Sequence, residues 1–189
     1  MRSRLALALI LSLIMSLQAD AIRAQDWVVD FSRSGLRFVG SETGNASQGR
    51  FARWQALFAF DPGDRAAARL RVTVDIGSAT TDERRRDEAM LGEDWLDAAR
   101  FPRAVLEAAG FRPRSGGRFE ATGTLALRDQ RRPVALSLEL VEHGGGTRAS
   151  GEATVIRTQF GIGRGQWSGV QVVRLEVQVV FDLVARRAE

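Results

Sequence analysis

SATTDERRRDEAMLGEDWLDAARFP, Ser78 to Pro102, is the one stretch after the N-terminal segment whose apolar residues do not follow a strand pattern. Thr80 and Glu83 have capping-box spacing, which predicts a helix from about Asp82 to Leu91 that Gly92 stops. Asp94 is placed to cap a second short turn, and Pro102 holds Phe101 extended at the start of the next strand. A lone helix in a β chain needs a surface for Ala89, Met90, Leu91, Trp95, Leu96 and Phe101 to bury against. The insert is therefore expected to lie as a lid across one mouth of a barrel, with Met90, Trp95 and Leu96 facing inward.

Outward from the insert, both flanks read as strands. Upstream, Leu70, Val72, Val74 and Ile76 alternate with Arg69, Arg71, Thr73 and Asp75, so that strand has one wet face. DPGD at Asp61 is a turn signal, and before it GRFARWQALFAF, Gly49 to Phe60, is largely apolar on both faces. WVVDFSRSGLRFV, Trp27 to Val39, predicts a first strand bent at Gly35. Downstream, hairpin spacing predicts strands over Arg103–Phe111, Arg118–Leu127, Pro133–Val141, Thr147–Thr158 and Val170–Val184. The turns between them fall at PRSGG, at Asp129–Gln130 and at Gly144–Gly146.

That pattern makes eight antiparallel strands with one short helical insert between the third and fourth. Eight is about the number that closes a small up-and-down barrel with room for one ligand. The expected fold is an all-β, lipocalin-like barrel; a two-sheet sandwich is the alternative that spacing leaves open.

The 189 residues suit one domain. The start, MRSRLALALILSLIMSLQADAIRA, has two arginines, an apolar run from Leu5 to Leu17 and small residues after it, the layout of a secretory signal. The run is shorter than the roughly 18 to 20 residues of a membrane helix. Residues 1–24 are expected to be the signal, cleaved after Ala21 or Ala24, and residues 25–189 the single exported domain, placed in the periplasm. The chain has no cysteine, so its core must stabilise it without disulfides. The isoelectric point of 11.1 arises because every basic residue is arginine. Removing residues 1–24 takes away Arg2, Arg4, Arg23 and Asp20 and leaves 24 arginines against 22 acids, which gives no electrostatic case for nucleic acid.

Several local patterns together resemble the YceI-like family of bacterial lipid and polyisoprenoid-binding proteins. They are Asp30, Ser34, Leu36 and Phe38 in the first strand and Gly49, Phe51 and Trp54 in GRFARW. In the insert they are Arg86, Asp87, Leu91, Asp94, Trp95, Leu96, Asp97, Phe101 and Pro102. Gly123, Leu125 and Arg128 with Pro133 and Val134 follow, and then Arg157 with Phe160, Gly161 and Ile162. The resemblance spans essentially the whole mature chain and lies in order and spacing. It implies an exported eight-stranded barrel whose interior takes a long isoprenoid chain, such as a polyprenyl lipid or a quinone. Asp129 departs from the family's glycine, and Ile156 and Gln159 from its acidic residues, which bears on head-group contacts near the late loop.

Little in the sequence supports catalysis. Without cysteine or lysine there is no thiol nucleophile or Schiff base. The only histidine, His143, sits in a glycine-rich turn, and the glycines of GIGRG and GGG lack the strand-to-helix setting of a phosphate loop. Asp87, Glu88, Glu93, Asp94 and Asp97 lack EF-hand spacing and read as a solvated face. No catalytic residue, metal ligand or cofactor is assigned.

The expected apolar lumen consists of Leu36, Phe38, Phe51, Trp54, Phe58, Met90, Trp95, Leu96 and Phe160. Arg86, Asp87 and Arg157 are the candidate head-group contacts; Arg86 and Asp87 serve equally as a lid-to-barrel ion pair. The function expected is a periplasmic binding or carrier protein for an isoprenoid lipid or lipoquinone, with transient membrane contact and an oligomeric state left open, a dimer included. The alternatives are a ligand-free assembly module of the envelope and an enzyme acting on such a lipid.

Overall fold

The structure, a computed structural model, describes residues 27–42, 44–59, 67–143, 146–169 and 173–187. The expected signal segment, the Asp61 turn and most of the Gly144–Gly146 turn lie outside these residues. The strands are β1 (Trp27–Val29), β2 (Gly35–Glu42), β3 (Asn45–Phe51), β4 (Trp54–Ala59), β5 (Arg69–Asp75) and β6 (Ala79–Thr80). After the helix α1 (Arg84–Leu91) come β7 (Arg103–Pro113), β8 (Arg118–Leu127), β9 (Gln130–His143), β10 (Gly146–Ile156) and β11 (Glu176–Arg187).

All strands belong to one antiparallel sheet in the order β4-β5-β7-β8-β9-β10-β11-β2-β3-β6, with β1 paired to the end of β11. The ends of this order meet. Only Ala52 and Arg53 separate β3 from β4, and only a 3-10 turn, Ile76–Ser78, separates β5 from β6. β3 pairs with β6 while β4 pairs with β5. Between those pairings, the Ala52 amide donates to the Ser78 carbonyl at 3.1 Å and the Asp75 amide to the Arg53 carbonyl at 3.0 Å. The sheet thus curls into a barrel of eight passes. Among the described residues the count of strands is eleven instead of eight because two passes are broken and β1 is separate.

Alternation drives the closure. On β8, Phe119, Ala121 and Leu127 are buried while Arg118, Glu120 and Thr122 are exposed; on β9, Val134, Leu136 and Leu138 point in. Ion pairs decorate the outer wall, among them Arg71–Glu107 and Arg148–Asp182. Exposed pairs of this kind are screened by water and contribute little, so burial of the inner face holds the barrel.

Several boundaries differ from the pattern-based expectation. The first strand is broken at Asp30–Ser34 and not simply bent at Gly35. The Asp30 carboxylate accepts from the Ser32 amide at 3.0 Å and the Ser32 hydroxyl at 2.6 Å, a local turn that competes with the ladder. The β8–β9 turn is Arg128–Asp129, one residue earlier than expected, with Arg128 left-handed at φ 55°. The last strand starts at Glu176, because described residues between 157 and 169 form two 3-10 turns and a loop around Arg157. Glu83, not Thr80, caps α1: its carboxylate accepts from the Arg85 and Arg86 amides at 3.1 and 2.8 Å. Gly92 ends the helix, donating to the Ala89 carbonyl from an ordinary φ of −71°.

Candidate functional site

Half of the barrel is solid and half is hollow. At the β1 end, Trp27, Val29, Phe111, Phe119 and Leu138 are all buried at 8% exposure or less and fill the interior. At the other end, beneath α1, lies a cavity of about 480 Å³. Its wall is built from the inward positions of almost every strand, including Val72 and Val74 of β5, Leu106 of β7, Leu125 of β8, Leu136 of β9, Val155 of β10 and Val179 of β11. Polar lining residues include Ser41, Ser47, Thr81, Glu83, Arg85, Arg86 and Arg157. An interior this apolar favours a ligand whose main feature is hydrocarbon.

Of the residues singled out in the sequence, Leu36, Phe38, Phe51, Trp54, Met90, Trp95 and Leu96 line this cavity. The rings of Phe38 and Phe51 lie 5.2 Å apart, and Trp54 meets Phe31 edge-on at 5.0 Å. Phe58 and Phe160 do not line it. Phe58 belongs with Ala56 and Trp27 at the β1 end, beside an open outer groove of about 950 Å³. Phe160 is completely buried in packed core. Both have the apolar character of a lining residue, but Phe58 lies at the β1 end and Phe160 is packed away in the turn between the lining residues Arg157 and Ile162.

The lid is held by specific contacts. Asp87 of α1 accepts from the Thr80 hydroxyl at 2.5 Å and from the Thr81 amide and hydroxyl, both at 2.7 Å. Burial pushes the Asp87 carboxyl up, yet these hydrogen bonds outweigh it and hold the group below its ordinary value. Asp87 therefore anchors the lid to the barrel by hydrogen bonds to two threonines. Arg50 of β3 adds an ion pair with Asp82 just before the helix. Arg86 lines the cavity, and no side chain of α1 is fully buried.

Arg157 is nearly inaccessible at 1% exposure. Its Nε donates to the Arg174 carbonyl at 2.9 Å and its Nη1 to the Ile162 carbonyl at 3.0 Å and the Gly163 carbonyl at 3.4 Å. Its Nη2 donates to the carbonyls of Trp167 at 2.8 Å, Gly169 at 3.1 Å and Val173 at 2.9 Å. A guanidinium has five N–H donors, so backbone carbonyls occupy this one fully. Among the described residues no carboxylate pairs with it. Desolvation pulls its pKa below the ordinary arginine value, although the group stays charged. Gly163, left-handed at φ 77°, makes the arrangement possible: a Cβ there would lie 2.0 Å from the Arg157 Nη1. With its donors spent on the late loop, Arg157 is a knot in the scaffold and not a free donor for a head group.

A second buried arginine, Arg128, ties the insert to the late loop. Arg128 Nη1 donates to the Trp95 carbonyl at 2.5 Å and the Gly161 carbonyl at 2.8 Å, and its Nη2 lies 3.6 Å from the Asp97 carboxylate. The Asp94 carbonyl accepts from the Gly163 and Arg164 amides at 2.8 and 3.0 Å, so its backbone joins the insert to the late loop. Trp95 stacks obliquely on Trp167 at 5.8 Å. Arginine looks like a surface residue in sequence, and only the left-handed Arg128 turn aims this one inward. Among the described residues no three His, Asp or Glu side chains converge as a metal site.

Comparison with known proteins agrees with this architecture. A family model described as the YceI-like domain matches residues 27–185. A UPF0312 protein of Vibrio cholerae is 29% identical over 162 residues, covering 80% of this chain and 85% of the relative. The crystal structure of Burkholderia cenocepacia BcnA superposes with a TM-score of 0.80 at 26% identity, covering 83% of this chain and 99% of that one. A polyisoprenoid binding domain from Saccharophagus degradans, implicated in plant cell wall breakdown, has a TM-score of 0.65 at 15% identity and covers 87% and 99% of the two chains.

Proposed function

The chain belongs to the YceI-like domain family, and on that premise we propose that it is a binding and carrier protein for an isoprenoid lipid. The observation that carries this reading is the cavity of about 480 Å³ within the barrel, walled almost entirely by aliphatic and aromatic side chains. A polyprenyl tail is a matched occupant: each buried methylene contributes about 0.8 kcal/mol, and the tail offers nothing that needs a polar partner. The polyisoprenoid binding domain among the structural relatives lends support.

The tail lies in the barrel and the head group stays at the rim. Arg85 and Arg86, on the first turn of α1, stand there, and among the described residues the Arg85 side chain has no partner. A polyprenyl lipid or a lipoquinone fits this arrangement, with the lid moving aside for exchange. The N-terminal apolar run supports a periplasmic location, where such a lipid needs shielding from water between membranes.

Quenching of tryptophan fluorescence tests the reading, because Trp54 and Trp95 line the cavity. A long-tailed quinone is expected to quench at far lower concentration than the same ring with its tail removed. Equal quenching by both would contradict tail binding.

A further inference from the structure

The hollow half of the barrel ends at one level. On β7 the lining stops between Leu106 and Ala108, on β9 between Leu136 and Leu138, and on β11 between Leu183 and Ala185. Below that level the buried side chains of Trp27, Val29, Phe111, Phe119 and Leu138 fill the barrel, where β1 pairs with the end of β11, Val29 opposite Ala185. Phe181 is an aromatic ring in the lining near this floor, and Gly151 and Leu36 flank it in register. A Cβ on Gly151 would lie 2.7 Å from the Phe181 ring and 2.2 Å from the Ser137 carbonyl, so glycine lets the ring lie flat on the neighbouring strand.

The depth follows from the strands. Lining residues on β11 run from Val177 to Leu183, six residue steps or about 20 Å of strand. With barrel strands tilted by about 40°, that is about 15 Å along the axis. Three bonds of an extended backbone cover at most about 3.6 Å, so the four chain bonds of an isoprene unit cover about 5 Å.

We propose that the cavity measures its ligand: it holds about three extended isoprene units, and Phe181 with its plugged floor sets that limit. This rests on the isoprenoid reading above and adds a ceiling on the tail length that contributes to affinity. Units beyond the third remain outside the barrel, where they gain no further burial.

Calorimetric titration of the purified protein with isoprenoid alcohols of two to eight units tests the limit. Affinity is expected to rise by at least about tenfold per unit up to the third, and then to change by less than about threefold. Phe181→Ala deepens the cavity and should move the plateau to a longer tail. Ala153 lines the cavity in register with Leu136 and Val179, so Ala153→Phe adds bulk to the cavity without removing packing and should move the plateau to a shorter tail. Affinity that keeps rising through eight units, or a plateau that neither variant moves, overturns the limit while leaving tail binding intact. No binding at any length would remove the isoprenoid reading and the limit with it.

Discussion

The guanidinium carbon of Arg157 lies 5.6 Å from the ring centroid of Trp95, placing a buried cation behind an aromatic wall of the cavity. Its hydrogen bonds fix described residues between 162 and 174 as one unit, and the ring joins that unit to the lid segment. Breaking this knot leaves buried carbonyls without donors. Arg157→Ala is expected to lower unfolding free energy by about 3–5 kcal/mol, read by urea titration. Arg157→Lys should recover only part of that loss, because an ammonium cannot reach carbonyls spread across a plane.

Asp87 gives the lid an anchor that can be removed without touching the core. Asp87→Asn takes away a charged acceptor from Thr80 and Thr81, a local loss of about 1–2 kcal/mol. Amide exchange over α1 should accelerate by about tenfold or more while strand exchange is unchanged. Unchanged exchange in α1 would mean that the contact does not hold the lid.

The same anchor has a defined pH dependence. The folded Asp87 carboxyl is held below its ordinary value, so its contribution is complete above the unfolded pKa of about 3.9 and is lost as pH falls through the folded value. Exchange over α1 should be independent of this group from about pH 5 upward and should rise below about pH 4. Asp87→Asn should reduce the acid-induced rise to the part that protonation of the Glu83 cap and of Asp82 contributes.

Lining and packing residues should separate cleanly in mutagenesis. Phe160, fully buried in solid core, should cost about 3–5 kcal/mol of stability on replacement by alanine. Phe38 faces the cavity, so Phe38→Ala should cost less stability but weaken binding of a long-tailed quinone by about tenfold or more. Thermal denaturation and quinone titration of both variants measure the contrast.

The strands and the insert were legible because each leaves a local signature. Leu70, Val72 and Val74 alternate with arginine and threonine, and the alternation stops where the helix begins. Depth inside the barrel has no such signature. Phe51 and Phe58 lie on the same bent pass, yet one lines the cavity and the other packs at the plugged end. Which half a residue falls in depends on how far β1 reaches along β11, a long-range relation. Arg128 and Arg157 were opaque for a related reason. Their burial depends on backbone carbonyls brought in by loop geometry, and a carbonyl carries no residue identity that a sequence displays.

Native mass spectrometry of the protein purified from its own host's envelope tests the central claim most directly. A mass increment that dissociates as an isoprenoid lipid, and that is lost on introducing a charge into the wall as in Val179→Glu, is the predicted result. Protein that carries no lipid and takes up none when mixed with long-tailed isoprenoids would contradict it.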